Sequence, residues 1–161
     1  MTSTTTYPLI RDNMITLLEA LTPTRGADTK FARDEQSVDM LLKAESNPQG
    51  CFRRFSIRRE TIRDDASTGA TDCLIEQVTD KALLVIAYPH YFGLAGEDNL
   101  RDLDDLINED AEQIRQTIGD LGSANYLSGQ SVCRSTYQSQ EQGEITFLYF
   151  ELEIKYYQDL T

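Results

Sequence analysis

Apolar positions recur along this chain with two periods, and the switch between them lays out its elements. In "YPLIRDNMITLLEALTP", Ile10, Met14, Leu17, Leu18 and Leu21 fall on one side of a 3.6-residue turn, the pattern of a helix with one buried face. Thr5 or Thr6 can cap it, Pro8 sits where an early helical proline is tolerated, and Pro23 stops it. A helix is therefore predicted over Pro8–Leu21. A second stripe is longer: Leu100, Leu103, Leu106, Ile107, Ala111, Ile114, Ile118 and Leu121. Asp98 or Asn99 can cap its start, acids fill its first turns, and Gly119 and Gly122 bracket its end.

Elsewhere the period is two. "CFRRFSIRRETIR" reads as a strand with Phe55 and Ile57 on one face and Phe52 on the other. In "CLIEQVTDKALLVIAYPHY" the second half is a continuous aliphatic run, as expected of a central strand covered on both faces. Its first half is the end of a loop or a separate edge strand. "DDASTGATD" is a turn region. "SVCRSTYQSQEQGEITFLYFELEIKYY" reads as an antiparallel hairpin turning near Gly143. In its second strand, Phe150, Leu152, Ile154 and Tyr156 share a face assigned to the core. Ile145, Phe147 and Tyr149 lie on the opposite face, which is predicted to rest against a neighbouring subunit or a covering loop. Residues 23–50 are polar and punctuated, with a short cluster at Val38, Leu41 and Leu42. They predict a projecting excursion, cleaved first by proteases after Arg33 or Lys43.

The order helix, strand, strand, long helix, strand, strand indicates an α+β fold. The expectation is one domain over 1–161: an antiparallel or mixed sheet of about four to five strands, with a long amphipathic helix and the N-terminal helix packed on it. A chain of 161 residues can bury enough surface to fold without a disulfide or metal. Its three cysteines, Cys51, Cys73 and Cys133, are too few and too widely spaced for a disulfide framework. The longest apolar run, Ala82–Tyr88, is too short for a membrane span, and "MTSTTTY" lacks the basic start of a secretory signal. A cytosolic protein with no membrane association is expected.

Charge narrows the possible roles. With 27 acidic and 15 basic residues the formal net charge is −12, which disfavours a free-standing nucleic-acid binder. No phosphate-loop, dinucleotide-binding or nucleophile-elbow motif occurs, nor any zinc spacing. His90, in "YPHYFG", could pair with a cysteine, but no third member to orient it is evident. Asp102, Asp105, Glu109 and Glu112 line one face of the second helix at spacings of three or four. They suit a solvated face better than a cation site. Arg53, Arg54, Arg58, Arg59 and Arg63 concentrate in one strand and its exit. They could meet a phosphate backbone, an acidic partner, or the chain's own acidic helix. Catalytic, cofactor and metal sites are all expected to be absent.

Taken together, "YPLIRDNMITLLEALTP", "CFRRFSIRR", "LLVIAYP", "NLRDLDDLINEDAEQIRQTI" and "FLYFELEIKYY" resemble, in order and texture, the tail terminator or tail completion proteins of long-tailed bacteriophages. The resemblance spans most of the chain outside residues 23–50 and carries no residue-level motif. It implies a non-enzymatic virion component, assembled in the host cytoplasm and located at the tail or neck. Such proteins form a hexameric ring that ends the tail tube and offers a head-joining surface. The implied partners are copies of the chain, the tail tube protein and head or neck connector proteins, with DNA passing through unbound. A neck, head-closure or head–tail joining protein is the near alternative. A small acidic cytosolic enzyme or regulatory protein using His90 or the acidic row is the distant one. For a ring with cyclic symmetry, each subunit needs two complementary patches. The sequence offers Arg53, Arg54, Arg58 and Arg59 against Asp102, Asp105, Glu109 and Glu112, with Ile145, Phe147 and Tyr149 as an apolar contact.

Overall fold

The computed structural model describes residues 7–25, 29–34, 48–60, 64–66, 75–90, 99–119 and 131–159. In chain order these form α1 (Tyr7–Ala20), β1 (Ala32–Arg33), a helical turn α2 (Pro48–Cys51), β2 (Arg54–Arg59), β3 (Asp64–Ala66), β4 (Ile75–Pro89), α3 (Asn99–Ile114), a π-helical turn (Arg115–Gly119), β5 (Ser131–Gln142) and β6 (Ile145–Asp159). The strands make one mixed sheet in the order β1-β2-β4-β6-β5, with β3 also paired to β4. Only β1 and β2 run parallel; the remaining pairs are antiparallel. The fold is α+β, as its element order predicts.

The long strands β4 and β6 form the middle of the sheet, matched residue for residue from Ile75↔Asp159 to Pro89↔Ile145. Because side chains alternate across a strand, this register puts Ala82, Leu84 and Ile86 beside Leu152, Phe150 and Leu148 on one face. Phe55 and Ile57 of β2 join them. Onto that face pack Ile10, Met14 and Leu18 of α1 and Leu103, Leu106, Ile107, Ala111 and Ile114 of α3, in one continuous core. Phe150, Leu152, Ile154 and Tyr156 are all buried there, as their alternation predicts. Helices α1 and α3 thus cover one face of the sheet.

Several boundaries differ from the sequence reading, each for a local reason. β4 is one continuous strand of 15 residues, because β3 and β6 both pair with its first half. The "DDA" expected in a turn is β3. Phe52 does not lie opposite Phe55: both belong to the main core, at 2% and 0% exposure. The cause is Arg53, whose φ of 58° puts a left-handed kink just before β2 and turns Phe52 inward. A non-glycine residue there costs about 1–3 kcal/mol unless its surroundings hold it. α3 stops being α-helical at Ile114 rather than at Leu121. The wider π turn that follows keeps Ile118 in the core, at 0% exposure.

The start of the predicted excursion is docked, which corrects its reading as a projecting loop. Phe31 is buried in the core, and Ala32 and Arg33 pair with Arg54 and Phe55. Arg33 is therefore held in a strand and is a poor first cleavage site. Lys43 and the Val38–Leu42 cluster lie outside the described residues, as do Arg63 and Cys73.

The hairpin turns at Gly143–Glu144. Gly143 has φ 63° and Glu144 does not share a positive φ, the pattern of a type II′ turn with glycine first.

Candidate functional site

Two charged sets are built into the core, one near the end of β4 and one near its middle. At one end, Asp110 projects from α3 and is fully buried, as is Arg53. Arg53 Nε donates to Asp110 Oδ2 at 2.8 Å and Nη2 to Oδ1 at 3.0 Å. Tyr88 of β4 donates its hydroxyl to Oδ2 at 2.8 Å. The rest of the guanidinium is used as well: Nη1 donates to the Thr29 carbonyl at 2.8 Å and Nη2 to the Arg25 carbonyl at 2.6 Å. The Phe31 and Phe52 rings lie 5.6 and 5.5 Å from its centre. The bidentate pair is thus desolvated but well satisfied. Burial pushes the Asp110 carboxyl above 3.8, outweighing the opposing pull of Arg53 and Tyr88. It pushes the Tyr88 hydroxyl well above 10.0, so Tyr88 remains a donor through the neutral range.

Eight residues away, about 26 Å along the strand, Asp80 is also fully buried. Arg59 Nε donates to Asp80 Oδ1 at 3.0 Å and Tyr156 to Oδ2 at 2.6 Å. The Arg59 guanidinium lies over the Tyr7 ring at 4.9 Å. Arg59 is held in its charged form chiefly by the hydrogen bond to Asp80.

The sequence reading missed both aspartates, although each carries a signal. Asp110 occupies a stripe position between Ile107 and Ile114, and Asp80 alternates in phase with Ala82, Leu84, Ile86 and Tyr88. An acid on an apolar face needs a buried cation, and the Arg-rich strand supplies both.

This placement redraws the proposed interface. Arg53 is wholly buried within the chain and has no surface to offer a neighbour, because Asp110 draws it inward. Arg59 is committed to Asp80. Arg54 is partly buried and donates to the Gly50 carbonyl at 3.0 Å. Glu109 pairs with Arg25 at 3.0 Å, and Glu112 accepts from Tyr137 at 3.1 Å. Arg58 and Asp105 are exposed, and Asp102 is partly so. Ile145 and Phe147 are buried at 2% and 5% in a second small core with Cys51 and Ala87, against which Tyr149 packs. The chain therefore covers them itself, and α2 supplies Cys51 to that cover. His90 bonds Thr146 Oγ1 through Nε2 at 2.7 Å.

Past that cover this face of the sheet is mixed. Arg58↔Leu83 and Leu83↔Glu151 are register partners, as are Ser56↔Val85 and Val85↔Tyr149. Leu83, Val85 and Tyr149 are half-buried, between Arg58 on one side and Glu151 on the other. Among the described residues, no group of acids, histidines and cysteines is arranged to hold a metal, and no helix is long and apolar enough to cross a membrane.

Neither a known protein-family model nor a curated protein matches this sequence. The geometry must therefore carry the functional argument.

Proposed function

We propose that this chain is a non-enzymatic structural subunit that assembles with copies of itself. In the form suggested by its resemblance to phage tail terminators, it makes a hexameric ring that ends a tail tube and receives the head or neck. The supporting observation is the division of its charged groups. Those closest to forming a site, Arg53–Asp110–Tyr88 and Arg59–Asp80–Tyr156, are consumed in holding the fold. What faces outward on the sheet is a half-buried apolar strip, Leu83, Val85 and Tyr149, flanked by charge. Such a strip suits a protein contact. The net charge of −12 also suits a bore that DNA crosses without adhering.

Arg58 and Asp105 are the best candidates for complementary contacts between neighbours. An exposed pair contributes about 0–1 kcal/mol, so it sets register and assembly rate more than affinity. Light scattering after size exclusion, with negative-stain images, tests the reading. Rings should form alone or on tail tubes, weaken in Arg58→Glu, and recover in part in Arg58→Glu/Asp105→Arg. A chain that stays monomeric on tail tubes, and whose melting point rises with a small ligand, overturns it.

A further inference from the structure

We infer that the outer edge of β5 is a pairing surface for β5 of a second copy, related by a two-fold axis normal to the sheet. β5 ends the sheet order, so among the described residues its outer edge has no partner strand. It is 12 residues long and pairs with β6 one to one from Ser131 to Gln142, so no bulge twists the edge away. It contains no lysine and no proline, and Thr136–Gln142 are all exposed. Soluble proteins usually guard an edge of this length with such devices. The opposite end of the sheet is closed by β1, only two residues long.

The hairpin fixes which backbone groups face outward. A two-residue loop is closed by a hydrogen-bonded pair, here Gln142↔Ile145. Even-numbered residues of β5 therefore bond to β6. The N–H and C=O groups of residues 133, 135, 137, 139 and 141 point away from the sheet. A two-fold axis through the middle of that set places Tyr137 opposite its own copy, 135 opposite 139, and 133 opposite 141. All five outward residues then find partners, and both helix layers stay on one side of a continuous sheet.

The side chains favour a second copy as the occupant. Two chains of charge −12 repel, yet β5 carries only Arg134 and Glu141 among twelve residues. In this register Arg134 meets Gln140, and Glu141 meets position 133, so no like charges face each other. Tyr137, at the centre, is one of two large hydrophobic residues exposed among those described, at 38%. Its ring already leans on Phe150 at 5.3 Å between centroids, and a copy of itself would cover the remainder.

The dimer is independent of the ring reading, because Arg58 lies on another strand. Light scattering at high salt should give twice the 18.3 kDa chain mass, for wild type and Arg58→Glu alike. Ser139→Pro removes one outward N–H and spares the bonds to β6. It should give a monomer with an unchanged circular dichroism spectrum. In a Cys73→Ser/Cys133→Ser background, Tyr137→Cys should oxidise to a covalent dimer, since a hydrogen-bonded pair sits about 5.5 Å apart at Cα, within disulfide reach. Gln138→Cys, which faces Thr136 of the copy, should not. A wild type that is monomeric at high concentration, or a dimer that survives Ser139→Pro and does not link through position 137, overturns the inference. Rings lost in Arg58→Glu while the dimer persists would confirm the edge pairing apart from the ring.

Discussion

Asp110 shows how one residue can decide a local structure. Its carboxylate gives Arg53 a reason to hold a left-handed backbone and a buried side chain. Removing the acid in Asp110→Ala strands the guanidinium and should cost about 3–5 kcal/mol in chemical denaturation. The pH dependence has a definite sign. Burial raises the folded-state carboxyl above 3.8, so on acidification the folded chain takes up this proton before the unfolded chain does. The contribution of this group to stability therefore grows as pH falls and is complete below 3.8. Wild type should gain on Asp110→Asn between neutral and mildly acidic pH; the opposite trend would mean that the ion pair outweighs burial. Tyr7 gives a simpler case: its hydroxyl is buried without a hydrogen-bond partner among the described residues. Tyr7→Phe should raise stability by about 1 kcal/mol, read as a higher melting temperature. Neither aspartate was assigned to a buried site from the sequence, although each lies in phase with an apolar face. Periodicity sorts residues by hydropathy, and an acid is assigned to solvent until its cation is placed beside it in three dimensions.

At the level of elements, the apolar pattern identified α1, the β5–β6 hairpin and the aliphatic half of β4, because each carries a strong apolar period or run. The misread places are those where tertiary contacts overrule the local pattern. The first half of β4, with Glu76, Gln77, Thr79 and Asp80, is held by its neighbours on both sides. The two-sided apolarity of β6 was legible, but its cover was not. Phe147 is shielded by its own chain, so Phe147→Asp should act on folding of the monomer. A loss of about 3–5 kcal/mol is expected for emptying a buried aromatic site. Glu153→Lys, at a partly exposed position paired with Lys155 at 3.5 Å, should be nearly silent in the same denaturation experiment.

Among the described residues the molecule is a one-sided sandwich: α1 and α3 cap one sheet face, and the other is capped near Ile145 and Phe147. That asymmetry, with a β5 edge that has no partner strand among the described residues, is what the assembly proposals rest on. Which of the proposed interface residues face outward was only partly readable. Charge clusters are visible in a sequence, but whether Arg53 and Arg58 point in or out depends on the kink at Arg53 and on the register of β2.

The central position of β6 sets a condition on how the chain reaches this state. β4 gains its longest partner only when β6 arrives, and the closest residues in that pair, Pro89 and Ile145, are separated by both α3 and β5. Until then the "ALLVIAY" run has an unsatisfied edge, and the Arg53–Asp110 bond spans a loop that must also be closed. Non-local closure of this kind slows folding. Refolding from urea, followed by aromatic fluorescence, should therefore be slower than for a helical bundle of this size, in the millisecond-to-second range. During synthesis the earlier elements must wait, with their apolar faces exposed, for the last strand to emerge. A chaperone holdase should accordingly improve the yield of folded protein more than it improves the survival of protein already folded.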